Sequence, residues 1–136
     1  MKPSIRAHAR LLLCLLAAAT AGCGSTEPIP LEGTYDMRLA NGQQLPFSSG
    51  PGAENLQSAV MVINPDHSFV ATPTYLLETG STYTATIKGV VTRNGDDLAY
   101  ASAISPPAPA FATGHVTPGF VTYVQPSGDA FVFQRR

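Results

Sequence analysis

Apolar and polar residues alternate along much of the chain. In the first such run, Tyr35, Met37 and Leu39 alternate with polar neighbours. A period of two is typical of a β-strand with one buried face, so we expect a first strand whose apolar side chains point inward. The pair Asn41-Gly42 predicts the turn that ends it, because Asn-Gly favours tight turns.

The same alternation predicts several further strands. Asn94-Gly95 is the strongest hairpin signal in the chain. Pro73 interrupts one strand, which indicates a sheet edge or a bulge, and Gly89 suggests a bulge in the next. The predicted strands cover residues 57–63, 68–77, 82–91, 98–104, 120–124 and 131–135.

Residues 105–119 interrupt this pattern with four prolines, at positions 106, 107, 109 and 118. Proline lacks an N–H donor and fixes its backbone, so we predict mostly loop here. Residues 53–59 are expected to form one or two helical turns at most. The pattern predicts an all-β fold, a small antiparallel barrel or, as the alternative, a β-sandwich.

The N-terminus has the order of a secretion signal. A basic start precedes an apolar run over residues 11–19 and a few small residues. Ala21, Gly22 and Cys23 resemble the bacterial lipobox, although Thr20 stands where an aliphatic residue is usual. The resemblance implies cleavage before Cys23 and lipidation, including palmitate, of its thiol. An ordinary secretion signal with an incidental cysteine remains the alternative.

These features predict three regions and a location. Residues 1–22 would be a lipoprotein signal peptide, residues 23–31 a lipidated tether, and residues 32–136 a β-barrel domain. Several acyl chains anchor a protein stably, so we expect a bacterial cell-envelope protein on the periplasmic or surface face. Gly24 rather than Asp follows the cysteine, and in a Gram-negative cell the resemblance to sorted lipoproteins would then imply the outer membrane.

Composition limits the function further. The chain after residue 22 carries five Lys and Arg against nine Asp and Glu, a net charge of −4. A mildly acidic chain with no basic cluster argues against nucleic acid as a partner. One cysteine remains after cleavage and the lipid would occupy it, so neither a disulfide nor a cysteine zinc site is expected.

Three segments and the C-terminus resemble small bacterial lipocalin-like lipoproteins of uncharacterised function. They are residues 33–35 (Gly-Thr-Tyr), 41–47 (Asn-Gly-Gln-Gln-Leu-Pro-Phe), 63–69 (Ile-Asn-Pro-Asp-His-Ser-Phe) and the aromatic-basic end at 131–136. The resemblance implies a lipocalin-like barrel in which Tyr35 stacks on Arg135 or Arg136. It also implies a turn at His67 that requires a positive φ.

The candidate catalytic groups do not indicate a catalytic or metal-binding site. His67 follows Asp66 in a predicted turn, His115 lies in the proline-rich segment, and Asp96-Asp97 follow the Asn-Gly turn. Solvated turn residues explain them better than an active site, and one histidine does not make a metal site. We therefore predict no catalytic residue, metal ligand, cofactor or cofactor-binding residue, and Cys23 as the single modification site.

Two functional hypotheses follow. The first is a non-catalytic barrel that binds a small apolar ligand or an envelope protein, with its open end and residues 106–118 as the contact region. The alternative is a filled barrel that acts only through protein contacts, as an inhibitor or accessory. An envelope hydrolase, which would need a histidine beside a serine and a carboxylate, comes third.

Overall fold

The computed structural model describes residues 27–102 and 110–136, whose regular structure consists of β-strands. The predicted signal peptide, Cys23 and the start of the predicted tether lie outside these residues. In this part of the chain, no helix has the length and apolar character needed to cross a membrane. The strands are β1 (Gly33–Ala40), β2 (Gln43–Gln44), β3 (Phe47–Ser48), β4 (Asn55–Ile63), β5 (Ser68–Leu76), β6 (Thr82–Thr84), β7 (Ile87–Asn94), β8 (Asp97–Ala101), β9 (Ala110–Thr117), β10 (Phe120–Val124) and β11 (Ala130–Arg135).

Eight of these strands close into an antiparallel barrel, which confirms the barrel and excludes the sandwich. Strands β1, β4, β5, β7, β8, β9, β10 and β11 each pair with the next, and β1 pairs with both β11 and β4 to close the ring. The short strands β2, β3 and β6 pair alongside the open-end parts of β1, β4 and β5, respectively. The result is a lipocalin-like, up-and-down barrel.

The two ends of the barrel differ in what covers them. At the closed end, residues 27–32 lead into β1 beside the turns after β4, β7 and β9. At the open end lie β2, β3, β6 and the turn between β10 and β11. Leu31, which the sequence assigned to the tether, is only 4% exposed and packs in the core at the closed end.

Large side chains fill the closed half of the barrel. Phe69 and Tyr100 meet edge to face with ring centroids 5.3 Å apart, a favourable aromatic geometry. Two inward-facing glycines make room for them: Gly89 lies directly across from Phe69, and Gly114 lies beneath the Tyr100 ring. The predicted bulge at Gly89 is therefore wrong, because β7 runs in register with β5 there and the glycine serves close packing instead.

The largest correction concerns the proline-rich segment. Strand β9 occupies residues 110–117, whereas we had predicted mostly loop over 105–119; residues 103–109 lie outside the described part. The strand forms because the prolines flank it, and Ala112, Gly114 and Val116 alternate as buried positions within it. Pro118 and Gly119 then form the turn to β10. The density of prolines concealed a short strand of alternating small residues.

The predicted strand 82–91 is split into two, and Pro73 explains the break. The N–H and C=O of a strand residue point to the same side, and the carbonyl of Pro73 accepts a hydrogen bond from the Ala85 amide at 2.9 Å. The missing donor of Pro73 therefore faces the gap between β6 and β7, as at a sheet edge. Tyr83 on β6 is 37% exposed.

Two smaller differences follow from β-bulges. The first strand shifts register between Met37 and Leu39, so Ala40 rather than Leu39 completes the buried face. Residues 55–59, within the segment where helical turns were expected, form the start of β4, with a second shift between Leu56 and Ser58. A bulge reverses which residues face inward, and a strict period of two cannot anticipate it.

Candidate functional site

An apolar cavity enters the barrel from the open end. Its water-accessible space is about 40 Å³, and Met37, Met61 and Phe133 lie on its walls. The space exists because the inward positions of β4 and β5 carry small residues here, Ala59 and Ala71. We call this space the inner cavity; about 10–15 Å³ of such space holds one water, so it accommodates a few methylene groups.

A wider depression lies outside the inner cavity. This outer basin has about 250 Å³ of water-accessible space, and its own lining consists of Phe47, Ser49, Glu54 and Asp129. The inner cavity and the outer basin share three lining residues, Leu56, Tyr75 and Phe131. The two spaces are therefore adjacent, and these three side chains, which we call the neck, lie between them.

Glu54, a carboxylate of the basin, is linked to the aromatic neck through Tyr83. The rings of Tyr75 and Tyr83 stack with centroids 5.1 Å apart, and the Tyr83 hydroxyl donates a hydrogen bond to Glu54 Oε2 at 2.5 Å. This hydrogen bond raises the pKa of Tyr83 to about 12. Burial and then the Glu54 charge raise the pKa of Tyr75, so Glu54 lies close enough for its charge to act at the neck.

Asp129, the second carboxylate of the basin, is held by neutral donors. Its Oδ1 accepts from Asn41 Nδ2 at 2.9 Å and its Oδ2 from the Ser127 hydroxyl at 2.7 Å. The Asn41 amide, with the Ser127 hydroxyl, lowers the pKa of Asp129 and keeps it ionised. The predicted Asn41-Gly42 turn is confirmed, and Asn41 has a positive φ of 51°.

Polar groups close the other end of the barrel by holding the incoming chain. The Tyr35 hydroxyl donates to the Leu31 carbonyl at 2.7 Å, while Arg93 and Arg135 donate to the carbonyls of Ile29 and Glu32. Three backbone carbonyls within four residues are thus fixed by barrel side chains. The segment from Ile29 onward is part of the folded barrel.

The stacking expected from the lipocalin resemblance is present and involves Arg135. Its guanidinium carbon lies 5.9 Å from the centre of the Tyr35 ring, within cation–π range. Arg136 instead forms an ion pair with Asp36 at 2.9 Å. The turn residue His67 has the expected positive φ, 64°.

The remaining candidate residues lie on the outer surface. Asp66 caps its own turn through Ser68, and Asp96 pairs with Arg93. His115 Nδ1 lies 2.7 Å from Asp97 Oδ1, with both side chains more than half exposed. The sequence missed this pair because it assigned residue 115 to a loop, whereas the β8–β9 register places the two residues directly across from each other.

The His115–Asp97 pair has no site built around it. The neighbouring Thr122 hydroxyl contacts the backbone amide and carbonyl of His115. Within residues 27–102 and 110–136, no three His, Cys, Asp or Glu side chains come together as a metal-binding group. The pair can stabilise the β8–β9 ladder as a cross-strand ion pair when the histidine is protonated.

Sequence reasoning also missed Glu54 and Asp129. Each lies just before a strand, in loops whose proximity depends on barrel closure, so no local pattern marks them. Cys23, the predicted lipidation site, lies outside the described residues. No family model, no curated protein and no solved structure matches this chain.

Proposed function

We propose that this protein is a lipocalin-like, lipid-anchored protein of the bacterial cell envelope, whose non-catalytic barrel binds a small apolar ligand at its open end. The observation that carries the ligand proposal is the inner cavity, an apolar space adjacent to the wider outer basin. Ligand sites are typically concave, mostly apolar and supplied with a few polar groups. The size of the cavity favours a short apolar group over a long acyl chain.

The attachment of the chain supports an orientation for this barrel. Ile29 is held at the closed end by Arg93, and five residues separate it from Cys23. Six extended Cα steps span about 20 Å at most. A lipid on Cys23 would therefore keep the closed end near the membrane and leave the open end facing the aqueous envelope.

The anchor is tested by replacing the candidate lipidation site. Cys23→Ser should abolish incorporation of labelled palmitate and move the protein from the membrane to the soluble fraction. Cys14→Ser is the matched control, because Cys14 lies within the apolar run of the same signal, and it should change neither property. Continued membrane fractionation of Cys23→Ser would refute the anchor.

The ligand is tested by native mass spectrometry of the mature chain purified from a periplasm. We expect a copurifying small molecule, which Ala71→Leu should displace because the added side chain fills the inner cavity. Val70→Leu, at the neighbouring position on the other face of β5, is the control and should retain the molecule. Retention by Ala71→Leu would place the ligand elsewhere.

The filled closed half favours the alternative, a barrel that acts through protein contacts as an inhibitor or accessory. Tyr35, Val116 and Val121 there are each at most 1% exposed, so little of this half of the interior is available to a ligand. An apo mass, with an envelope protein captured by cross-linking at the open end, would support this alternative.

A further inference from the structure

Basic side chains are distributed unevenly between the two ends of the barrel, although both ends carry carboxylates. Glu54, Glu78 and Asp129 lie in the loops of the open end. Within the described residues, the loops of that end carry no Lys, Arg or His, and the sequence of residues 103–109 adds no ionisable side chain. The basic groups of the closed end are Arg93, Arg135, Arg136, His67 and His115.

The two remaining cations lie on the outer wall. Arg38 is exposed on β1, where its Nε donates to Gln134 Oε1 at 3.0 Å. Lys88 is exposed on β7, across from Val70 of β5. Neither lines the inner cavity or the outer basin, so the carboxylates of the basin lack a basic partner within its lining.

The basin combines these carboxylates with aromatic faces. Glu54 and Asp129 are its charged lining residues, and Phe47, Tyr75 and Phe131 line it beside them. An ammonium group is attracted both by carboxylates and by the faces of aromatic rings. An anionic head group would be repelled by the carboxylates. The neck then leads a group attached to the ammonium into the apolar inner cavity.

We propose that the open end binds a short cationic amphiphile, with its ammonium head in the outer basin at Glu54 and Asp129 and its apolar end in the inner cavity. This proposal rests on the proposed ligand site and adds the class of its ligand. Anionic amphiphiles such as fatty acids bind poorly, because their carboxylate meets two fixed negative charges. Long chains bind poorly as well, because the inner cavity ends after a few methylene groups.

The experiment compares three probes with the same chain and different heads: hexylamine, hexanol and hexanoate. The protein is the mature chain carrying Cys23→Ser, which retains all barrel strands and has no lipid to compete for the site. Binding is followed by the NMR shifts of the Tyr75 and Phe131 rings. We expect hexylamine to bind about fivefold to tenfold more tightly than hexanol, hexanoate to bind most weakly, and added salt to reduce the amine preference.

Substitutions test the source of the preference. Glu54→Gln should lower hexylamine affinity about threefold and leave hexanol unchanged, and adding Asp129→Asn should bring the two probes to equal affinity. Glu78→Gln removes a charge from the same end but outside the basin lining, so it should preserve most of the preference. This control separates a local contact from the general field of the open end.

The outcomes distinguish this proposal from the ligand site on which it rests. Equal binding of hexylamine and hexanol would overturn the cationic ligand and keep the apolar site, and a preference that survives the double substitution would overturn the placement of the head group at Glu54 and Asp129. If hexanoate bound most tightly, the head group of the ligand would be anionic rather than cationic. No ring shift with any of the three probes would overturn both proposals.

Discussion

The closed end and the open end of the barrel are built from the same alternating strands, but their interiors differ. At the closed end the interior is filled: Tyr35, Ile63 and Val121 are each at most 2% exposed. At the open end the inward positions include Ala59 and Ala71, and aromatic side chains there remain partly exposed. The filled core is therefore concentrated in one half of the barrel and the apolar cavity in the other, and we expect the filled half to contribute more to stability.

The polar groups of the two ends also differ in what they contact. At the closed end, Tyr35, Arg93 and Arg135 hold main-chain carbonyls and thereby seal the barrel. At the open end, Glu54 and Asp129 line a solvent-filled basin. Closed-end polar groups are therefore structural, and substitutions there should reduce stability more than those at the open end.

The largest expected effect comes from truncating the closed-end aromatic. Tyr35→Ala should lower the free energy of unfolding by about 3–5 kcal/mol, because it removes a buried ring and leaves a cavity. It also removes the hydrogen bond to Leu31 and the Arg135 contact. Tyr83→Ala at the open end is the matched control, with an expected loss below about 1 kcal/mol. Urea denaturation of both variants measures the difference.

Equal losses from these two variants would refute the division of stability between the ends. A large loss from Tyr83→Ala alone would mean that the Tyr75–Tyr83 stack stabilises the barrel more than the closed end does. Tyr35→Phe sharpens the result, since it retains the ring and removes only the hydroxyl. We expect it to lose about 1 kcal/mol.

A smaller loss is expected where a glycine allows close packing. A Cβ atom at residue 114 would lie 2.0 Å from the Thr122 carbonyl oxygen and 3.2 Å from the Tyr100 ring. Gly114→Ala must therefore move β9 away from β10, at an expected cost of about 1–3 kcal/mol. Thr113→Ala, at the exposed neighbouring position, is the control and should change stability by less than about 0.5 kcal/mol. A neutral Gly114→Ala would show that the barrel wall yields there.

Stability should also fall at alkaline pH through the buried tyrosines. Burial raises the pKa of Tyr100 above its ordinary value of 10.0, and the nearby Tyr123 and Tyr35 add to the shift. A raised pKa in the folded state stabilises the fold fully below pH 10, and this contribution is lost as the pH rises through the folded pKa. The free energy of unfolding should therefore decline above about pH 10.

Tyr100→Phe tests this origin. The variant should lose about 1 kcal/mol at neutral pH, because the hydroxyl donates to the Thr122 carbonyl at 2.9 Å. Above pH 10 its stability should then decline less steeply than that of the unchanged protein, as measured by denaturation across the pH series. An identical slope would assign the alkaline loss to other groups.

The sequence predicted the parts of the fold that depend on local chemistry. Alternation located the buried residues Tyr35 and Met37 of β1, and Asn94-Gly95 marked the hairpin between β7 and β8, because these signals act over a few residues. The signals failed where distant strands decide the outcome. Strand β9 needs its neighbours to bury three small residues, and the register shift after Met37 depends on the pairing with β11.

The candidate site was less predictable than the fold for the same reason. The sequence placed the ligand site at the open end in general terms, from the barrel alone. Glu54 and Asp129 lie 75 positions apart and line one basin only when β1 pairs with β11 and β4 to close the ring. A property that arises from closure, such as an acidic basin over an apolar cavity, has no local signal to detect.

The smallest expected effect concerns the pKa values of two carboxylates, one at each end of the barrel. At the closed end, the hydrogen-bonded guanidinium of Arg136 lowers the pKa of Asp36, and at the open end the neutral Asn41 amide lowers that of Asp129. A lowered pKa in the folded state stabilises the fold above the ordinary value of 3.8, and the contribution is lost as the pH falls through the folded pKa. Both carboxylates therefore resist acid, but through different forces.

Salt distinguishes these forces. Carboxyl chemical shifts followed through an acid titration should show the pKa of Asp36 returning toward 3.8 in high salt, because salt screens an exposed charge pair. The pKa of Asp129 should stay low, because its donors carry no charge. Arg136→Gln should raise the Asp36 value and leave Asp129 unchanged, whereas Asn41→Gly, which tolerates the positive φ at this position, should do the reverse. A salt-sensitive pKa at Asp129 would mean that neighbouring charges, rather than its neutral donors, set that pKa.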